Sequence, residues 1–143
     1  MLMIRETISL FFKERIRDKI VIIDHDVQFF KRVQPLLNKW GYKVHFAHNV
    51  VTGFRKIQTL KPKGILIDIM MPGIDGWQTL QRLRDMTETP IIILQTSKFE
   101  DEEILKGLRL GVTDFLLKSM TDDELDARIK TIVISGIRGI RID

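Results

Sequence analysis

The chain has 143 residues, 44% of them apolar, no cysteine and a formal charge of +4. Length and composition fit one globular domain with its own core, and the lack of cysteine excludes a disulfide framework and a thiolate metal site. No apolar run approaches the roughly 18 residues of a membrane span, and Glu6, Lys13 and Glu14 interrupt any signal-peptide core, so a soluble, cytoplasmic protein without membrane contact is expected.

The positive charge belongs to the ends. Residues 1–19 carry five basic and three acidic side chains and residues 128–143 carry four and one, which leaves −1 for everything between. No basic stripe is interleaved with aromatics, so this domain is not expected to bind nucleic acid itself.

In chain order, residues 1–18 come first, with Ile4, Ile8, Phe11, Phe12 and Ile16 in a helical stripe; an extra N-terminal helix is expected to pack on the domain or on a partner. "KIVII" (19–23) is a β-branched run ending at Asp24. Phe29, Phe30, Val33, Leu37 and Trp40 then recur at helical spacing until Gly41, with Pro35 predicting a kink or a split. "YKVHFA" (42–47) alternates as a strand does, and Val51, Phe54, Ile57 and Leu60 suit a short helix closed by Lys61-Pro62. "GILID" (64–68) precedes a loop and a helix over about 76–86. "PIIIL" (90–94) is a fourth strand, 100–110 a fourth helix ending at Gly111, and "DFLLK" (114–118) a fifth strand. A fifth helix over 121–134 is capped by Thr121 with Glu124 three residues on, and residues 135–143 are left as a tail or the start of a linker.

Five βα units whose strands are apolar throughout predict an α/β, doubly wound parallel sheet covered on both faces. Ligands of such sheets bind at the carboxyl ends of the strands, which directs attention to Asp24, Asp68, Thr96 and Lys118. Carboxylates, a hydroxyl and an ammonium at neighbouring strand ends are a set that phosphoryl transfer can use. A carboxylate attacks phosphorus only if the incoming charge is neutralised, which a divalent cation held by oxygens and a lysine can do. Asp26 suits the N-cap of the first helix, and Asp75-Gly76 reads as a plain turn. His45 and His48 show no metal-ligand spacing with His25.

The motifs "VIIDHD", "LIDIMMPGIDG", "ILQTS" and "GVTDFLLK", in this order and spacing, resemble the receiver domain of two-component response regulators over residues 19 to about 134. The resemblance implies a flavodoxin-like (βα)5 sheet of strand order 2-1-3-4-5. It implies that Asp68 is the phosphoacceptor and that Asp24, Asp68 and the backbone carbonyl of Met70 ligate Mg2+. By the same resemblance Lys118 contacts the phosphoryl group, Phe115 is the aromatic switch and Thr96 the switching hydroxyl. The hydroxyl assignment depends on direction of counting: back from Gly111 gives Thr96, forward from Pro90 gives Gln95, as though one residue were inserted. The implied partners are a histidine kinase or phosphotransfer protein, a second copy of the chain meeting through the fourth helix, fifth strand and fifth helix, and an output domain or partner protein. Asp114 and Arg128 lie on that face and are candidates to pair across a homodimer. "ELDARIKTIV" (124–133) resembles the last helix of receivers joined to winged-helix DNA-binding domains, so nucleic acid enters only through such an output domain.

Two residues depart from the pattern. His25 holds the second acidic position, and an imidazole is a poor ligand for so hard a cation, so weak magnesium binding is expected. Ser119 follows Lys118 where the family has a cis-proline, and a non-proline residue resists cis by about 2.5–4 kcal/mol; a trans and displaced loop is expected. These departures leave open a pseudo-receiver that acts as an interaction or dimerisation module without phosphorylation. A phosphatase of the haloacid dehalogenase type is a third reading, with Asp24 as nucleophile and Asp26 as general acid, but it leaves "MMPGIDG" unexplained.

Overall fold

A computed structural model describes residues 18–135. Apart from their innermost residues, the helix expected over 1–18 and the tail expected over 135–143 lie outside that span. The elements alternate: β1 (Lys19–Ile23), α1 (Val27–Lys39), β2 (Lys43–Ala47), α2 (Val50–Leu60), β3 (Gly64–Asp68), α3 (Gly76–Met86), β4 (Ile91–Gln95), α4 (Asp101–Arg109), β5 (Asp114–Leu117) and α5 (Asp122–Ile134). All strand pairs are parallel, in the order β2-β1-β3-β4-β5.

The uniformly apolar strands are explained by two cores, one on each face of the sheet. Ile20, Ile22, Leu66, Ile92 and Leu94 point to one side, against Phe29, Val33 and Leu37 of α1 and Leu125, Ile129 and Val133 of α5. Val21, Ile23, Ile65, Ile67 and Ile93 point to the other, against Ile57 of α2 and Leu80 and Leu83 of α3. β1, β3 and β4, at the centre, are therefore buried along nearly their whole length, whereas β2 and β5 form the half-covered edges.

Pro35 does not split its helix. α1 runs unbroken from Val27 to Lys39 with the proline on its exposed side. A helical proline costs about 3 kcal/mol, and the buried stripe Phe29, Val33 and Leu37 spans the position and holds both halves on the sheet.

Local signals set the helix starts. Asp26 accepts from the backbone N–H groups of Gln28 and Phe29, Asn49 from Thr52, and Thr121 exchanges capping bonds with Glu124. Asp75, expected in a plain turn, caps α3 by accepting from Trp77 and Gln78. Gly76 then lies so close to the chain leaving β3 that a Cβ there would come within 1.8 Å of the Ile69 carbonyl oxygen. At the opposite pole of the sheet, the Arg84 guanidinium donates to the carbonyls of Thr87, Thr89 and Gly111, tying the end of α3 to the entries of β4 and β5.

Candidate functional site

β1 and β3 are neighbours in register, Ile23 beside Ile67, so Asp24 and Asp68 emerge side by side at the same rim. β5 delivers Lys118 to that rim from beyond β4. The Lys118 Nζ donates to Asp24 Oδ1 and to Asp68 Oδ2, each at 2.7 Å, and passes 5.5 Å from the Phe29 ring centre. All three side chains are buried: Asp24 is 0% exposed, Asp68 2% and Lys118 8%. Asp26 N–H also donates to Asp24 Oδ1, and Met70 N–H to Asp68 Oδ1 at 2.7 Å.

Two carboxylates thus share one ammonium, and the charges are unequally served. Burial pushes the Asp24 carboxyl above its ordinary range, which its bonds to Lys118 and Asp26 offset only in part. Burial acts to lower Lys118, but the hydrogen bonds and charges of both aspartates outweigh it and hold the ammonium above its ordinary value. Asp24 Oδ2 is buried without a hydrogen-bond partner.

His25 is the solvent-facing member of the cluster. Its side chain is 49% exposed, and Nδ1 lies 3.5 Å from Asp24 Oδ1 and 3.4 Å from Asp68 Oδ2. Asp24, His25 and Asp68 each offer a donor atom within 4.8 Å of the others, a grouping able to hold a metal ion. The Met70 side chain is exposed beside them.

β3 and β4 pair Asp68 with Leu94, so the residue that ends β4 beside the cluster is Gln95, and Thr96 follows it as an exposed loop residue. The strand end is thus a buried amide, and the hydroxyl expected to switch, Thr96, lies one residue beyond it. Gln95 Nε2 donates to the carbonyls of Ser97 and Lys98, while Oε1 has no partner. The forward count from Pro90 was the signal that located it. Phe115 is half-buried, edge-on to Phe99 at 5.0 Å between centroids, and fills the space over Gly107, where a Cβ would meet its ring at 2.7 Å.

The described residues contain no cis peptide, so Ser119 is trans as expected, and Lys118 still reaches both carboxylates. Arg32, which carries no motif in the sequence, supplies the reason. From α1 it donates to the carbonyls of Lys118 at 2.9 Å and Met120 at 2.7 Å, and its Nε bonds Asp122. Within the single chain Arg128 of α5 pairs with Asp114 and also donates to the Phe115 carbonyl of β5. Asp26 is committed to its cap, which leaves the dehalogenase-type reading without its general acid.

Residues 20–130 match the family model described as the response regulator receiver domain. Over 115 residues the chain is 35% identical to a transcriptional regulatory protein, a CpxR homolog of Haemophilus influenzae, covering 80% of this chain and 50% of that protein. The alkaline phosphatase synthesis transcriptional regulatory protein PhoP of Bacillus subtilis is 31% identical over 115 residues, with 80% and 48% covered; the chain spans about half the length of these curated relatives. A two-component response regulator from Clostridium difficile superposes with a TM-score of 0.71 at 30% identity, covering 82% of this chain and 96% of that one. With the sheet order, the acidic rim and the lysine that bridges it, these matches show that the chain belongs to the response regulator receiver domain family.

Proposed function

We propose that the chain is a receiver module that accepts a phosphoryl group on Asp68 from the phosphohistidine of a histidine kinase or phosphotransfer protein. The observation that carries this reading is the Lys118 ammonium 2.7 Å from both Asp68 and Asp24. In the transfer, a carboxylate oxygen of Asp68 bonds to phosphorus as the phosphorus–nitrogen bond of the donor breaks. The bonding electrons stay on the donor imidazole, whose other ring nitrogen carries a proton, so it leaves as the neutral ring and takes no proton from this chain. Lys118 supplies a point charge against the phosphoryl oxygens as they arrive. Magnesium, expected from the resemblance, fits the donor set poorly because His25 brings nitrogen where an oxygen ligand is needed, and no step is assigned to it.

Esterified, Asp68 no longer offers Lys118 the same carboxylate, and β5 is drawn toward the new anion. We assign the readout to this path, through Lys118, β5 and Phe115, since the strand end carries Gln95 in place of a hydroxyl. The α4-β5-α5 face, with Leu105 and Leu108 more than half exposed, is the surface we assign to a second copy of the chain or to the output domain that the module controls. Transcriptional control is the output suggested by the names of the relatives.

Incubation with acetyl phosphate in the presence of divalent metal, read by intact mass, tests the first step. One added phosphoryl group on the native chain and none on Asp68→Asn is the expected result. An unmodified native chain, or equal modification of Asp68→Asn, removes the proposal.

A further inference from the structure

The cluster at the rim differs from a magnesium site in one donor, and the difference is chemical as well as geometric. Magnesium demands oxygen ligands in near-ideal octahedral geometry and dehydrates reluctantly, whereas imidazole suits zinc, nickel and copper. Two donors on a tetrahedral zinc at about 2.0–2.1 Å stand about 3.4 Å apart; neighbouring donors on octahedral magnesium stand about 2.9 Å apart. His25 Nδ1 lies 3.5 Å from Asp24 Oδ1 and 3.4 Å from Asp68 Oδ2. The two edges of the donor triangle that include nitrogen thus have the zinc-like length.

Two further features point to a cation. Asp24 Oδ2, on a side chain with no exposure, has no hydrogen-bond partner, which leaves a buried carboxylate oxygen of the cluster able to take a cation. The two carboxylates also outnumber the single ammonium that serves them. His25, half-exposed over the cluster, provides the route of entry from solvent.

We propose that Asp24, His25 and Asp68 form a site for a divalent transition ion of the zinc class, in which the His25 imidazole turns selectivity away from magnesium. The ion competes with the Lys118 ammonium for the same two oxygens, Asp24 Oδ1 and Asp68 Oδ2. The site shares its carboxylates with the phosphoryl acceptor but does not rest on that role. It is tested without any phosphoryl donor, so the two readings fail separately.

The whole chain, stripped with chelator and carrying His45→Ala and His48→Ala to remove the other imidazoles, is titrated with zinc or magnesium alone by calorimetry and equilibrium dialysis. Zinc should bind at one equivalent and displace any bound magnesium. Adding His25→Ala should weaken zinc by about 10–100-fold, as loss of a well-oriented metal contact does, with magnesium affinity changed by less than about threefold. His25→Asp should shift the zinc-to-magnesium preference toward magnesium by at least about tenfold. In the nitrogen-edited spectrum of the His25 imidazole, zinc should move the resonances and magnesium should not. Circular dichroism checks that each variant folds, and the exposure of His25 makes its replacement mild. Absence of saturable zinc binding, or zinc affinity unchanged by His25→Ala, overturns the proposal.

Discussion

Lys118 is the side chain on which the rim depends, because it is the ammonium between two buried carboxylates. Removing one member of a buried ionic group leaves its partners uncompensated and costs about 3–5 kcal/mol. Lys118→Met should therefore lose about that much stability at pH 7 in a urea titration. The pH dependence has a definite sign. Asp24 already sits above its ordinary value through burial, and without the ammonium it rises further, so the folded variant binds protons more readily than the unfolded chain. Its stability should recover as pH is lowered from 7 toward 5. In the native chain, the contribution of Lys118 is complete below the ordinary value of 10.5 and is lost as pH climbs through the raised native value. Asp24, Asp68 and Lys118 were legible in the sequence because each ends a strand whose apolar run fixes its place. Gln95 was not equally legible: a single inserted loop residue makes the two counting directions disagree, and only the pairing of Asp68 with Leu94 decides between them.

The loop after β5 and the start of α3 show how connections hold the rim. Arg32 replaces by hydrogen bonds the rigidity that a proline would give after Lys118. Arg32→Ala should leave these carbonyls to solvent, lower stability by about 1–2 kcal/mol and broaden the amide resonances of residues 118–121. The contact joins residues 86 to 88 positions apart, which no local pattern announces. Gly76 is the opposite case, since its motif was plain while its reason was hidden. Any side chain there meets the Ile69 carbonyl oxygen, so Gly76→Ala should cost at least about 3 kcal/mol by forcing α3 off β3, seen as a lower urea midpoint with little change in slope. The split that Pro35 suggested is absent for a related cause: propensity is local, whereas a buried stripe on the sheet face is a property of the packed molecule.

Strand number and the two-faced core followed from the alternation of apolar runs with helical stripes, because that alternation is itself the packing requirement of a doubly wound sheet; the strand order came from the family resemblance. Asp114 meets Arg128 in its own chain, leaving the exposed Leu105 and Leu108 of α4 as the apolar part of the proposed dimer face. Leu105→Asp should reduce self-association of the phosphorylated or beryllofluoride-treated chain by about tenfold or more in sedimentation velocity, with no change in phosphoryl acceptance. Equal self-association of the variant would place the interface elsewhere.

Three carbonyls gathered by Arg84 lie at the pole of the sheet remote from the acidic rim. In the proposed mechanism that knot makes the far end a fulcrum, and a displacement of β5 by the phosphoryl group would be levered outward along the strand instead of being absorbed at its root. On the proposed function, a receiver stitched in this way would pass a shift of one lysine to its outer face, and cutting the stitch should blunt the message while leaving the chemistry intact.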